Sequence, residues 1–411
     1  MSIQIGRRGL LRGMAGALGA SVGSRIWTPG TAHAAEEKSA VVVLHFVGGY
    51  NALFCSADSF INRAFGVTGD NVRDLGNGLV VDKGTIGTLP DFALKHMATI
   101  GNRHGTSDHA EGIKMVWSNG TKNSSIRLAA AMGGDAAIKC AQIRGPGVAI
   151  PSPAEAGVSV QGVNDIGSLI ETLVGGDLRS PDRGVAQKAL AASNKMGERL
   201  IESSPAGGTA VTNGYSAAID ALGKQAPPFD YRGLPKVYGL PGTSIVNSPG
   251  EQVTGPEYAS KFCAAEVLIR AGTNVVNIFT GNSWDSHNAP NPAAGRPGNS
   301  GANLERNQMA VVIPELRKFL TRMYDPAGLG GSHNVVVVLL GDFSRSLPGN
   351  DHQPNLSVTV MGKYVKVGTT GRVAANASLP VGTPTSEGMW AYIAAMAKAT
   401  GTPFGANPHK I

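Results

Sequence analysis

Two kinds of apolar pattern alternate along this chain. Ala40 to Phe46 (AVVVLHF), Val275 to Thr280 and Val335 to Leu340 are apolar almost without interruption, as a strand buried on both faces requires. Ala141 to Ile143 and Gly157 to Val160 fit shorter strands, and Leu356 to Met361 alternates like a strand. Between these runs, apolar residues recur at helical spacing. The spacing predicts helices over 89–99, 112–117, 125–132, 166–173, 185–201, 216–222, 258–272, 304–324 and 390–397. Pro314 lies inside the eighth of these and should kink or divide it. Strands alternating with helices imply an α/β fold, a mostly parallel sheet with helices on both faces. The stretch from about 165 to 231 reads as a helical insertion, and 290–301, rich in Pro, Gly and Asn, as a surface loop. No internal repeat is present.

The first 34 residues read as an export signal and not as part of the fold. Gly6-Arg7-Arg8-Gly9-Leu10-Leu11-Arg12 is a twin-arginine pattern, a weakly apolar stretch follows to Gly23, and Ala32-His33-Ala34 offers a cleavage site. Cleavage there leaves 35–411 as one α/β domain in the periplasm or outside the cell. That stretch is too short and glycine-rich to span a bilayer, and no later segment is long enough, so the mature chain has no stable membrane span. The signal carries four arginines and no acid, so the formal charge of +7 becomes 7 − 4 = +3 in the mature chain. Without a Lys/Arg run interleaved with aromatics, nucleic-acid binding has no support. The cysteines, Cys55, Cys140 and Cys263, show no C-x-x-C spacing, which argues against a zinc ribbon or a disulfide framework. Cys263, in a helical pattern, reads as a small core residue.

Polar clusters follow the two longest apolar runs. Trp284-Asp285-Ser286-His287 comes after one; Gly341-Asp342-Phe343-Ser344-Arg345, and then Asp351-His352, come after the other. In an open α/β sheet, ligands bind just past the carboxyl ends of the strands. Asp285 and His287, two apart on a loop, can turn toward one point. Mixed Asp/His ligation suits zinc, manganese or similar ions. A third polar loop, Arg103 to Glu111, holds His104, Thr106, Ser107, Asp108 and His109. Asp108 and His109 fit either an acid–base pair or a helix cap. His45, inside the first strand, reads as a hydrogen-bonded core or face residue, and Trp284 as packing against the sheet edge.

These segments carry a family resemblance. The twin-arginine signal, FVGGYNAL at 46–53, WDSH at 284–287, DFSR at 342–345 and DHQPN at 351–355 resemble an exported bacterial family catalogued as domain of unknown function 1501. Its fold is similar to alkaline phosphatases and sulfatases. The motif order matches over nearly the whole mature chain, least in the helical insertion. The resemblance implies a metal-dependent hydrolase scaffold with a divalent ion, zinc or manganese or else calcium. Asp285 and His287 would hold one ion with His352, Asp342 would serve a neighbouring ion, and Asp351 stands beside them. Asn51 takes a position usually occupied by aspartate in relatives. Phe343 stands where alkaline phosphatases carry a second-site histidine, and Val47 where relatives commonly have an arginine. The resemblance places the nucleophile in the 103–109 loop, with Ser107 and Thr106 as equal candidates beside His109. Arg345 would pair with an anionic substrate oxygen.

Two functions are consistent with these residues. One is an exported hydrolase of small anionic esters, phosphate or sulfate. The other is a catalytically degenerate exported protein that keeps the fold and serves an unknown protein partner in binding or assembly. Asn51, Phe343 and the absence of an obvious nucleophile favour the second. Oxidoreductase chemistry finds neither a cysteine cluster nor a G-x-G-x-x-G after a strand.

Overall fold

A computed structural model describes residues 37–49, 68–144, 148, 150–174, 226–247, 253–281, 284–286, 301–345, 351–372 and 379–411, with scattered helical positions between 185 and 195. Asn51, Cys55, His287, the twin-arginine stretch, the expected 216–222 helix, most of 185–201 and the 290–300 loop lie outside them. An eight-stranded sheet organises Lys38–Ile411. Its strands are β1 (Lys38–Phe46), β2 (Met97–Asn102), β3 (Cys140–Ile143), β4 (Val160–Val163), β5 (Val275–Phe279), β6 (His333–Gly341), β7 (Leu356–Met361) and β8 (Gly368–Thr369). In space they run β8-β2-β7-β6-β1-β5-β3-β4. All neighbours are parallel except at β7, which is antiparallel to both β6 and β2. The sheet is therefore mostly parallel, and β1, β2, β5 and β6 end at the same edge.

Helices cover both faces. Alternate residues of β1 divide between them: Val42, Leu44 and Phe46 join one buried cluster, Val41 and Val43 the other. The first cluster is closed by α3 (Ile166–Val174), α4 (Gly255–Arg270) and α5 (Gly301–Tyr324). The second is closed by α1 (His109–Trp117), α2 (Ser124–Met132) and α6 (Ser386–Met396). Burial on both sides is why the strand runs are continuous: Val335 to Leu340 are all fully buried, each contributing about 1.5–3 kcal/mol. Caps set the helix starts. Asp108 accepts from the N–H of Glu111 ahead of α1, and Asn123 from Ser125 and Ile126 ahead of α2. Of the two readings of Asp108, the structure therefore shows the cap.

Three sequence expectations need correction. The helix expected over 89–99 is a single turn, Asp91–Leu94, and Met97–Asn102 is strand β2. Leu89, Phe92, Leu94 and Met97 fit helical spacing, but β2 is held between β7 and β8 by pairing with distant segments. The strand expected at 157–160 is an isolated Glu155–Val158 bridge, and β4 begins at Val160. Pro314 does not divide its helix: α5 is continuous over 24 residues, its buried face of Met309, Val312, Leu316, Phe319 and Leu320 packed in the first cluster. Packing of that length outweighs one lost backbone hydrogen bond. Leu356–Met361 is the strand expected there, with all six residues buried. Cys140 and Cys263 are buried free thiols, and burial pushes each up to about 12. Among the described residues no helix is long and apolar enough to cross a membrane.

The carboxyl-terminal segment returns to the sheet through His409, which is buried. Its Nδ1 lies 2.6 Å from Thr370 Oγ1, and its ring meets Tyr392 edge-on. Burial lowers its pKa from 6.5 to about 4. Between those values the unfolded chain holds the proton and the folded chain does not. Its contribution is therefore fully present above the unfolded value and lost as pH falls toward the folded one. Acidification through that window should remove up to about 3 kcal/mol of stability on this account. His409→Gln should flatten the dependence of the urea midpoint on pH there; a variant with the native slope would refute it.

Candidate metal centre at the carboxyl edge of the sheet

The register of the central strands builds the site. Phe46 at the end of β1 lies opposite Gly341 at the end of β6, so Gly48 and Gly49 emerge beside Asp342. Both glycines take positive φ, +113° and +103°. Asp342 is fully buried and faces their amides: Gly48 N–H is 3.0 and 3.3 Å from its two oxygens, Gly49 N–H 3.0 Å from Oδ1. The first turn of α1 packs directly on Asp342, since a Cβ on Gly112 would sit 2.6 Å from the Asp342 carbonyl oxygen. That approach puts His109 Nδ1 2.5 Å from Asp342 Oδ2. His45 Nε2 lies 3.3 Å from Asp342 Oδ1. Burial alone would raise the Asp342 pKa, but hydrogen bonds from His109 and His45 outweigh it and hold the carboxyl well below the usual range.

Asp285 arrives from the loop after β5. That loop is pinned from the helices: Trp284 Nε1 donates to Tyr258 Oη at 3.0 Å, Ser286 Oγ to Glu305 Oε1 at 3.1 Å, and Gly281 N–H to Glu257 Oε1 at 3.4 Å. Asp285 Oδ1 takes Arg345 Nη2 at 2.8 Å, with His352 Nε2 at 3.4 Å and His109 Nε2 at 3.5 Å. Arg345 is buried and also donates to the Gly48 carbonyl. Burial would raise the Asp285 pKa, yet the Arg345 hydrogen bond and the nearby positive charges leave it lowered.

Hydrogen-bond roles decide what the three groups present to one another. His109 Nδ1 faces a carboxylate and so carries a proton, and in the neutral ring Nε2 then holds the lone pair. His352 Nδ1 lies 3.0 Å from the Ser107 carbonyl, which can only accept, so its Nε2 also presents a lone pair. Burial, with the Arg345 and His109 charges, lowers the His352 pKa and supports the neutral form. For His109 burial acts downward, but the Asp342 hydrogen bond and the Asp342 and Asp285 charges prevail and raise it. Ligand atoms of His109, Asp285 and His352 all lie within 4.8 Å of one another. His109 Nε2 is buried and has no hydrogen-bond partner among the described residues. Three electron-pair donors around one orphaned nitrogen fit a cation, and the Nδ1–H to Asp342 is the outer carboxylate that metal-bound histidines usually have.

The residues expected from sequence are distributed as follows. Asp285, His352 and Arg345 come together, and His109, taken as an acid–base residue, joins them as a third converging donor. Asp342 turns its carboxylate to Gly48, Gly49, His45 and His109. Asp351 is exposed. Ser107 meets His352 through its main-chain carbonyl, and the Thr106 hydroxyl accepts the Asp108 N–H at 3.2 Å. Phe343 packs on the His109 and His352 rings, 4.7 and 4.5 Å between centroids. His104 is also close: burial, opposed by the Asp342 charge, lowers its pKa to about 4. Sequence reading did not assign His45 or Trp117 to the site. The signal available was His45 itself, the single polar residue of AVVVLHF.

No protein-family model matches the chain, and no curated protein matches it. Solved structures similar to it include the lipoteichoic acid synthase LtaP from Listeria monocytogenes, 11% identical at TM-score 0.32, covering 81% of this chain and 69% of that one. Another is alkaline phosphatase from the Antarctic bacterium TAB5, 11% identical at TM-score 0.27, covering 89% and 99%. Both likenesses are distant.

Proposed function

We propose that this chain is an exported hydrolase of small anionic esters, phosphate or sulfate, that works with one divalent ion. The supporting observation is the convergence of His109 Nε2, His352 Nε2 and Asp285 Oδ1 at the ligand-binding edge of the sheet. Two imidazoles and one carboxylate form the three-ligand set of a catalytic zinc site with an open position. They suit manganese next, and calcium least, since calcium takes six to eight oxygens. His287, two residues after Asp285 in sequence, is the candidate for a further ligand, as are Asn51 and Asp351. An ion held there would supply Lewis-acid polarisation of an ester oxygen. The chain's residues then divide the work. Asp342 holds His109 in its ligating tautomer, and Arg345, expected to pair with a substrate oxygen, is buried against Asp285 and would add positive charge behind an anionic substrate. Thr106 and Ser107 are the hydroxyls nearest the His109 end of the site in sequence. Residues 1–34 would direct export, and 35–411 would form the catalytic domain with its insertion at about 165–231.

One observation favours the second reading, a non-catalytic binding or assembly protein: Arg345 already engages Asp285 Oδ1 at 2.8 Å, neutralising the carboxylate that would hold the ion. Elemental analysis of chelator-free protein separates the two. About one equivalent of zinc or manganese in the native protein, lost in His352→Ala, followed by turnover of aryl phosphate or sulfate esters, is expected. No bound metal after incubation with each ion would end the hydrolase reading and leave the binding protein.

A further inference from the structure

We infer that His45 and Trp117 form a positioning device that acts through Asp342 to set which nitrogen of His109 faces Asp285 and His352. The inference rests on the metal-site reading for its functional meaning, but its geometry stands on the buried core alone. Trp117 Nε1 lies 2.6 Å from His45 Nδ1. An indole N–H only donates, so His45 Nδ1 must accept, and the His45 proton sits on Nε2. A doubly protonated His45 would set one N–H against another. His45 Nε2–H therefore donates to Asp342 Oδ1 across 3.3 Å. Asp342 then has four N–H donors, from Gly48, Gly49, His45 and His109, about as many as a carboxylate accepts.

The consequence reaches His109. With its Nδ1 taken by the Trp117 indole, His45 can offer Asp342 Oδ1 only its Nε2 edge, which leaves Oδ2 to the His109 Nδ1–H. The outer imidazole is oriented with its Nε2 lone pair outward. The rings are locked by packing: His45 stacks on Phe279 and Trp117 at 5.2 and 5.8 Å between centroids, and all three side chains are buried. Trp117 closes α1, and His109 opens it. One rigid helix therefore carries both the residue that sets the tautomer and the residue that uses it.

Long-range proton–nitrogen NMR of the histidine rings in metal-free protein at mildly alkaline pH tests the device without any ion. The expected result is His45 protonated at Nε2 and His109 at Nδ1; His45 protonated at Nδ1, or His109 mainly at Nε2, would overturn it. Three variants test the consequence with zinc as the probe. Trp117→Phe and His45→Phe should bind zinc about 10- to 100-fold more weakly, the usual cost of losing an outer-shell partner. His45→Gln, whose amide can accept from the indole and donate to Asp342, should recover most of the affinity. Native zinc affinity in His45→Phe would overturn the positioning role while leaving the metal site intact. No zinc binding in native protein with the expected tautomers would overturn the metal site and leave the device.

Discussion

Asp285→Ala is expected to lose zinc binding entirely and to lower the melting temperature in metal-free protein as well. The first loss follows from geometry, since Asp285 Oδ1 is the atom on which His109, His352 and Arg345 converge. The second follows from Arg345, whose guanidinium is buried at the foot of the site. Removing its carboxylate leaves a buried cation poorly compensated, and breaking such a pair costs about 3–5 kcal/mol. Asp285 is one-third exposed on its side chain, so water recovers part of that, and about 2–4 kcal/mol is expected. A double variant isolates the two effects. Asp285→Ala with Arg345→Met should regain most of the stability, because the buried guanidinium that lost the Asp285 carboxylate is gone, but none of the zinc affinity. Recovery of zinc binding in the double variant would sink the assignment of Asp285 as a ligand. Native stability in the single variant would show that Arg345 does not depend on it.

Gly48→Ala should be more damaging still, although it adds only a methyl group. Gly48 sits at φ +113°, where an L side chain is strained by about 1–3 kcal/mol. A Cβ there would lie 2.2 Å from Asp285 N and 2.6 Å from Trp284 C. Both are backbone atoms and cannot swing aside, so the β1 and β5 loops would have to separate. Separation breaks the Gly48 hydrogen bond to Asp342 and the Arg345 bond to the Gly48 carbonyl. The expected loss exceeds about 4 kcal/mol, the range reserved for a few named mechanisms. Urea denaturation of the variant, with soluble yield, reads it. A loss of 1 kcal/mol or less would mean that the two loops do not meet as closely as described.

Much of the scaffold was legible in the chain because the evidence for it is local. A strand buried on both faces must be apolar at every position, and AVVVLHF, VVNIFT and VVVVLL say so without reference to anything else. The place of the candidate site was legible for the same reason: the polar clusters containing Asp285 and Asp342 immediately follow such strands. Legibility failed where the deciding partner is distant. Met97–Asn102 has no strand signature of its own and becomes β2 through pairing with β7 and β8. Pro314 marks a break that a long packed face overrides.

The roles inside the site divide in the same way. Sequence determined that carboxylates and imidazoles would gather at one edge of a mostly parallel sheet, since strand ends and the residues following them are contiguous in the chain. Only the tertiary structure decided which of them face one another. Asp342, expected to meet an ion, turns to two glycine amides and two histidines. His109, expected as an acid or base, presents its Nε2 to Asp285. His45 changes from a polar residue in a strand to the inner end of a hydrogen-bonded chain only because the carboxyl end of α1 sets Trp117 over β1. A side chain's type is written at its own position, but its hydrogen-bond partner depends on register and helix placement set by residues far along the chain.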